Sequence, residues 1–265
     1  MAEAVLEAWV IGLAGFLLLW PISLMRRDTS IVDFWWGPGF GAIAIYAWVV
    51  AGMPTHERAV LILGLVVLWS ARLGLQLGRR RLSEGEEDPR YQEIRAAWDP
   101  GFWWKSLFIV FVSQAILQFL VAAGPLSGAF AEAQPLAILG VAGLVLALAG
   151  LVIETVSDVQ LDRFRRTTPH GGLLETGLRR YVRFPSYTGE MMIWWGLAAI
   201  AFEAGVYWAP LSAALLTFLL LRLSGVSVLD DRLERTRPGY AAYRARVPAL
   251  FPDTRALGAL FQRGT

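Results

Sequence analysis

The sequence of 265 residues contains no cysteine, which excludes disulfide bonds, thiolate nucleophiles and cysteine-ligated metals. Its two histidines, His56 and His170, lie on opposite predicted faces of the molecule, so they cannot form a zinc site together. There is no Walker loop, no glycine fingerprint after a predicted strand and no serine nucleophile elbow. Any nucleotide must therefore be held by helices and the loops between them.

Charged residues are also scarce, since they form 17% of the chain, whereas 56% of it is hydrophobic. This composition is too apolar for an ordinary soluble domain. Apolar runs of about 20 residues, the length that crosses a bilayer, recur along the chain. We therefore predict an all-α integral membrane protein, with residues 1–265 in a single membrane-embedded domain. About seven spans are predicted, at 5–25, 33–53, 59–78, 102–124, 136–157, 188–204 and 206–226.

The basic residues are distributed unevenly between the predicted loops. The predicted outside segments hold only Arg58, whereas arginine clusters occur in residues 79–95, 163–183 and 232–246. The positive-inside rule then predicts an N-terminus outside and a cytoplasmic C-terminus. The richness in arginine and alanine is typical of GC-rich bacterial genomes, so we expect a multi-pass protein of a bacterial cytoplasmic membrane.

Charged side chains inside the predicted spans gather near the predicted cytoplasmic face. Charges in a membrane are costly, and charges placed only for fold stability would show no such bias. The gathered set predicts a water-accessible chamber that opens to the cytosol. Its members are Asp33, Arg72, Glu154, Asp158, Glu190 and Arg222, and Gln114 and Gln118 share one face of the fourth span.

One face of the fifth span carries Gly143, Ala147, Gly150, Glu154 and Ser157. The small residues in its outer half favour close helix packing. Its acidic inner half has two interpretations, a solvated helix end or the lining of a polar ligand site. Both remain open from the sequence.

The polar segment after the fifth span has three arginines, then a histidine and a pair of glycines. The arginines suit either anionic lipid or a phosphate-bearing cofactor. The glycine pair permits close approach of a ligand or simply makes a turn. These residues are Arg163, Arg165, Arg166, His170, Gly171 and Gly172.

The segment RYVRFPSYTGEMMIWWG, residues 180–196, enters an apolar helix with the pattern R-x-P-x-Y-x-G-E. This pattern resembles the central motif of the steroid 5-alpha-reductase superfamily, which includes membrane sterol reductases and isoprenylcysteine methyltransferases. The resemblance covers most of the chain and is strongest to the bacterial 5-alpha-reductase branch. Other similar segments are DFWWG at 33–37, RFRR at 163–166, HGGL at 170–173, DDRLE at 230–234 and GYAAYRARVP at 239–248.

The resemblance implies that NADPH binds among the last helices and cytosolic loops, roughly residues 136–265, and that helices within roughly 1–124 hold the substrate. Guanidinium groups suit the phosphates of this cofactor, and carboxylates suit its ribose hydroxyls. The implied cofactor-binding residues are Glu154, Asp158, Arg163, Arg165, Arg166, His170, Gly171, Gly172, Arg183, Ser186, Tyr187, Glu190, Asp230, Asp231 and Arg232.

In the steroid enzymes, a glutamate on the second span and a tyrosine on the third polarise the substrate carbonyl. Asp33 is the corresponding acid candidate in this chain. The third-span position is Trp69, which has no phenolic proton, and Arg72 one turn on is the candidate replacement. Tyr187 is the third catalytic candidate.

The helix face that begins at Asp33 continues through Trp36 and Phe40, which predicts a carboxyl beside an aromatic wall for a flat substrate. A catalytic Asp33 requires a protonated carboxyl, so burial must raise its pKa. The alternative is an N-cap of the second span, a common role of aspartate. The predicted substrate-binding residues are Asp33, Trp36, Phe40, Gln114 and Gln118.

Together these features predict an NADPH-dependent reductase of a lipid-soluble enone, with a 3-oxo-Δ4 steroid as the expected substrate. The alternative is a methyltransferase that uses S-adenosylmethionine, but the arginine run favours NADPH because S-adenosylmethionine has no phosphate. A third class, a non-enzymatic lipid-binding protein, leaves the motifs without an explanation. We expect a monomer in the lipid bilayer, with no metal ion and no nucleic-acid partner.

Overall fold

The structure is a computed structural model, and it describes residues 2–83, 87–168, 172–223 and 225–252. These residues form helices and connecting turns, and no β-strand occurs among them, as predicted. The α-helices are α1 (Ala2–Arg26), α2 (Asp33–Val50), α3 (Glu57–Ser83), α4 (Pro89–Trp98), α5 (Phe102–Ser106), α6 (Ser113–Ala129), α7 (Ile138–Thr167), α8 (Pro185–Glu203), α9 (Ala209–Phe218), α10 (Val226–Thr236) and α11 (Tyr240–Arg246). Two π-helical turns, Leu107–Val112 and Leu219–Leu223, precede α6 and follow α9, and 3-10 turns occur at Thr29–Val32 and Gly177–Arg180.

Five helical stretches are long and apolar enough to cross a bilayer: Glu3–Arg26, Glu57–Arg79, Phe102–Ala129, Ile138–Thr167 and Ala209–Thr236. The prediction of a multi-pass membrane protein is confirmed at this level. Helices α2 and α8 lie where the second and sixth spans are predicted, but they are not among the five. Their tryptophan, glycine, proline and polar residues lower the mean hydropathy. The count of seven spans and the orientation stay predictions.

The chain divides into two compact units, and both contain segments that are distant in sequence. The first unit is Met1–Val141 with Ala198–Ser212, and the second is Ala142–Leu197 with Ala213–Thr265. The first unit contains the predicted substrate-side helices. The second contains most of the predicted cofactor-side segment, 136–265, of which residues 136–141 and 198–212 belong to the first unit.

In the first unit, α2 packs closely against α3, and α1 and α6 complete the core. Ser70 on α3 links the first pair, because its Oγ accepts from the Gly41 amide at 2.9 Å and donates to the Gly37 carbonyl at 2.7 Å. A Cβ at position 41 would lie only 2.6 Å from this Oγ, so glycine permits the contact.

Helix α4 is an ordered element within a segment that the sequence presents as a polar loop. Asp88 caps it by accepting from the Arg90 amide at 3.0 Å, and Pro89 occupies the first turn. Glu87 accepts from the Thr29 amide at 2.7 Å and from Arg95 Nη2 at 2.8 Å. These bonds fasten α4 to the turn that precedes α2.

In the second unit, α7 and α8 approach each other through paired glycines. A Cβ at Gly150 would lie 2.5 Å from the Gly189 carbonyl oxygen, and a Cβ at Gly189 would lie 2.5 Å from the Gly150 oxygen. A Cβ at Gly196 would lie 2.4 Å from the Gly143 oxygen. The small-residue face predicted for the fifth span is therefore the packing surface of α7 against α8.

The C-terminal segment of the second unit folds back beside the start of α8. The amides of Arg183 and Phe184 donate to the carbonyl oxygens of Pro248 and Ala249, at 2.8 and 2.9 Å. Thr188 Oγ1 adds a bond to the Leu250 carbonyl at 2.6 Å. The tail after α11 is thus bound to the R-x-P-x-Y-x-G-E segment by its backbone.

Candidate active site

Four polar side chains of the first unit meet where α4 reaches the start of α2. The Tyr91 hydroxyl donates to Asp33 Oδ1 at 2.5 Å, and Gln114 Nε2 donates to the Tyr91 oxygen at 3.1 Å. Arg90 Nη2 donates to Asp33 Oδ2 at 3.1 Å. Helices α2, α4 and α6 therefore supply one hydrogen-bonded group, which we call the Tyr91 cluster.

The ring of Tyr91 anchors this cluster in the apolar core. Tyr91 is 5% exposed and belongs to a buried group with Phe16, Val32 and Phe111. Burial, together with the charge of Asp33, raises the pKa of Tyr91 well above its ordinary value of 10. The phenol therefore keeps its proton at neutral pH and remains a hydrogen-bond donor.

Arg90 faces two carboxylates. Besides its bond to Asp33, its Nε donates to Asp88 Oδ1 at 3.1 Å. Burial alone would lower the pKa of Arg90, but the charge of Asp33 and the hydrogen bond to Asp88 raise it above its ordinary value. Arg90 thus stays charged beside Asp33.

The surroundings of Asp33 differ from both sequence interpretations. The N-cap of α2 is Val32, and no side-chain cap bond is formed there, so Asp33 does not cap the helix. The catalytic interpretation made Asp33 a proton donor, but in the structure its two oxygens accept hydrogen bonds from the Tyr91 hydroxyl and from Arg90 Nη2. The available proton of the cluster is therefore on Tyr91, and Asp33 is its acceptor.

The remaining predicted substrate residues are distributed between the core and the cluster. Gln118 is fully buried and donates to the Trp36 carbonyl at 2.8 Å, which ties α6 to α2. Phe40 is also fully buried, and its ring meets Trp69 edge-on at 5.3 Å. Gln118 and Phe40 thus fill space between helices, whereas Trp36 is partly exposed.

The sequence analysis missed Tyr91, because it sought a phenol on the third span. Trp69 and Arg72 occupy α3 there, and Arg72 Nη2 donates to Gln76 Oε1 at 2.7 Å. The phenol comes instead from α4, outside every predicted span. The pattern Asp-Pro-Arg-Tyr at 88–91 was the available signal, since Asp-Pro is typical of a helix start.

In the second unit, carboxylates and serines occupy the region where α7 meets the start of α8. Ser186 Oγ donates to Asp158 Oδ1 at 2.8 Å, and Ser157 Oγ lies 2.8 Å from the same serine. Glu154 is 2% exposed and Glu190 is 7% exposed. The structure thus pairs Asp158 with Ser186, and it buries both glutamates that the sequence assigns to cofactor binding.

Two other predicted cofactor residues bind each other. Arg183 Nε and Nη2 donate to the two oxygens of Asp230 at 3.1 and 2.6 Å, and both side chains are buried. Arg183 Nη1 also donates to the carbonyl oxygens of Arg244 and Val247, and the Tyr240 hydroxyl donates to Asp230. This pair therefore holds the tail against the central motif, and its charges satisfy each other.

Three tyrosines, Tyr187, Tyr240 and Tyr243, lie on the helices that this pair joins. Tyr187 stacks on Phe184 with ring centroids 5.8 Å apart. The Tyr243 hydroxyl donates to the Arg179 carbonyl at 2.6 Å, and burial raises the pKa of Tyr243 to about 12. Burial and a hydrogen-bonded carboxylate raise the pKa of Tyr240 as well. The hydroxyls of Tyr240 and Tyr243 are therefore protonated donors at neutral pH.

The other predicted cofactor residues lie nearer the surface of this unit. The three arginines at the end of α7 are exposed. His170 and Gly171 lie outside the described residues. The exposed residues are Arg163, Arg165, Arg166 and Asp231, and the partly exposed ones are Arg232 and Gly172.

The donor chemistry of the second unit fits a phosphate-bearing dinucleotide. Guanidinium groups for phosphates and carboxylates for hydroxyls occur in one compact unit, on α7, α8 and α10. Within the described ranges, no group of three or more metal-ligating side chains is present.

The family described as "Protein of unknown function (DUF1295)" matches residues 19–247. The match includes the whole Tyr91 cluster, the R-x-P-x-Y-x-G-E segment and the tail up to Val247. No curated protein and no solved structure gave a significant match.

Proposed function

Because the chain belongs to the DUF1295 family, whose description assigns no activity, we propose its function from the site itself. The proposed reaction is NADPH-dependent reduction of the carbon–carbon double bond of a lipid-soluble enone. The expected case is a 3-oxo-Δ4 steroid that becomes its 5α-dihydro product. One observation carries the proposal: Tyr91 is hydrogen-bonded to Asp33, an acid and phenol pair of the kind that the resemblance to steroid 5-alpha-reductases implies.

The chemistry of an enone explains what Tyr91 would do. When hydride adds to the β-carbon, negative charge develops on the carbonyl oxygen, and a preorganised donor at that oxygen lowers the barrier. The Tyr91 hydroxyl is such a donor. It can turn from Asp33 toward a substrate oxygen, because Arg90 still neutralises Asp33. During this rotation of the hydroxyl, Gln114 would keep donating to the phenol oxygen and so fix its position.

The second unit would hold the cofactor. Bound NADPH would supply the hydride. The exposed Arg163, Arg165 and Arg166 would bind phosphate groups, while Asp158 and Glu190 would accept hydrogen bonds from hydroxyl or amide groups. The Arg183–Asp230 pair would fix the tail and the start of α8, which carry several of these residues.

The setting that we propose is a bacterial cytoplasmic membrane, crossed by seven spans with the N-terminus outside. This orientation places α4 and the arginines of α7 on the cytosolic side, where NADPH is available. Water or a polar side chain would then protonate the α-carbon. We propose a monomer as the functional form.

A methyltransferase that uses S-adenosylmethionine is the second candidate. Buried carboxylates such as Glu154 and Glu190 would suit a sulfonium cation. The exposed arginine run favours a phosphate-bearing ligand instead, and a methyl transfer leaves the Tyr91 cluster without a role. A non-enzymatic lipid-binding protein leaves both groups of residues unexplained.

Ligand-dependent melting of the detergent-purified protein separates these candidates. A ligand that binds only the folded state at about a hundred times its Kd adds about 2.7 kcal/mol to the free energy of unfolding. We expect NADPH to raise the melting temperature and S-adenosylmethionine to leave it unchanged. We also expect NADPH to be consumed only when an enone is added. A shift with S-adenosylmethionine alone would favour the methyltransferase.

A further inference from the structure

Arg179, at the 3-10 turn before α8, has hydrogen-bonding capacity that the protein does not use. Its Nη1 donates to the Arg183 carbonyl at 2.7 Å. Its Nε is sealed from solvent without a hydrogen-bond partner, and Arg179 forms no ion pair with the residues that the structure describes. Buried polar groups are nearly always satisfied, so an unsatisfied guanidinium N–H requires an explanation.

The surroundings of Arg179 suit a ligand better than a purely structural role. Four titratable groups lie close enough to influence the pKa of Arg179, and they are Tyr243, Asp158, Tyr240 and Tyr187. Burial lowers the pKa of Arg179, because the cation has lost water without gaining a paired anion. Asp158 and Tyr187 are two of the residues that the sequence assigns to cofactor binding. A bound anion would therefore compensate the Arg179 cation for the hydration that it loses on burial.

The backbone on both sides of Arg179 is held in place. Gly177 has φ +64° and packs so closely on α7 that a Cβ there would lie 2.3 Å from Gln160 Oε1. The same Oε1 accepts from the Leu178 amide at 2.9 Å, and Tyr243 donates to the Arg179 carbonyl at 2.6 Å. These contacts place Arg179 against the end of α7, where the exposed arginine run begins one turn later.

We propose that Arg179 binds a phosphate group of a soluble nucleotide. The planar fork of a guanidinium matches two phosphate oxygens, and a partly buried one binds them with less competition from water. The choice of nucleotide rests on the proposed function, in which the phosphate belongs to NADPH. Phosphate could also come from a lipid headgroup, but two of the four groups around Arg179, Asp158 and Tyr187, are assigned to the cofactor, which favours a nucleotide.

The test measures binding rather than turnover. The full-length protein in detergent is titrated calorimetrically with NADP⁺, with ADP and with adenosine, which has no phosphate. Arg179→Gln should weaken NADP⁺ and ADP binding by about tenfold or more, the scale of a lost hydrogen bond to a charged group. Adenosine binding should not change. Arg180→Gln is the matched control, because Arg180 is the exposed neighbour and should leave all three ligands unaffected.

Arg179→Lys is the control for a folding defect, because lysine keeps the positive charge but lacks the planar pair of N–H donors. It should bind NADP⁺ with intermediate affinity. Unchanged NADP⁺ binding by Arg179→Gln would overturn the assignment. The assignment would also be overturned if phosphatidylglycerol nanodiscs stabilised the protein through Arg179 and nucleotides did not, because the phosphate would then belong to a lipid headgroup. If wild type binds NADP⁺ through Arg179 but reduces no enone, the proposed reaction fails and the assignment stands.

Discussion

Tyr91→Phe removes one oxygen atom and leaves the ring in the core, so it isolates the hydroxyl of the Tyr91 cluster. That hydroxyl donates to Asp33 at 2.5 Å and accepts from Gln114 at 3.1 Å. A hydrogen bond to a charged group contributes about 1.5–3 kcal/mol to stability. The Asp33 side chain is 34% exposed and keeps its ion pair with Arg90, so we expect the lower end of that range.

The effect on activity should be much larger than the effect on stability. Loss of one preorganised donor at a developing oxyanion typically lowers kcat by about a hundredfold to a thousandfold. NADPH consumption with a 3-oxo-Δ4 steroid measures kcat, and ligand-dependent melting measures NADPH affinity, which should not change. Tyr207→Phe is the control, because Tyr207 is 73% exposed. A Tyr91→Phe variant with the kcat of wild type would refute the role of the phenol.

Three further predictions test the packing, the protonation state and the topology. Gly189→Ala should destabilise the protein by about 1–3 kcal/mol, because its Cβ would lie 2.5 Å from a carbonyl oxygen of α7, whereas Gly64→Ala meets nothing within 4 Å and should not. Equal melting temperatures for these two variants would contradict the close packing of α7 and α8. Because the pKa of Tyr91 is raised above 10, its proton is lost only when the pH rises through that raised value. We therefore expect no decrease of kcat below pH 10 that depends on Tyr91. A decrease at about pH 8 that disappears in Tyr91→Phe would contradict the raised pKa. Since the chain has no cysteine, single cysteines can be introduced freely: whole-cell labelling should reach Glu132→Cys but not Gln92→Cys, and the reverse pattern would invert the orientation.

Features that repeat along one helix could be predicted from the sequence. The small residues on α7 recur at helical spacing, and the structure packs that face against α8. The five apolar stretches long enough to cross a bilayer were predictable for a similar reason, since hydropathy adds over about 20 neighbouring residues. Helices α2 and α8 show the limit of this reasoning, because their tryptophan, glycine and polar residues lower the mean hydropathy although both segments are helical in the structure.

Features that depend on distant pairs could not be predicted from local patterns. Asp33 and Tyr91 are separated by 58 positions, and α4 is short and polar, so its place beside α2 depends on caps and ion pairs. Arg183 and Asp230 were each assigned to cofactor binding by the family resemblance, and nothing in the local sequence shows that the two side chains pair with each other. They are 47 positions apart, and each satisfies the other. Arg179 was overlooked because an arginine in an arginine-rich segment is not distinctive.

The most direct test of the proposed reaction is isotope transfer. The purified protein would be incubated with NADPH carrying deuterium at the transferable position and with a 3-oxo-Δ4 steroid, and the product analysed by mass spectrometry and NMR. The account predicts a saturated ketone with one deuterium at the former β-carbon, formed by wild type and at least about a hundredfold more slowly by Tyr91→Phe. Recovery of unreduced steroid, or a product methylated when S-adenosylmethionine is supplied, would contradict it.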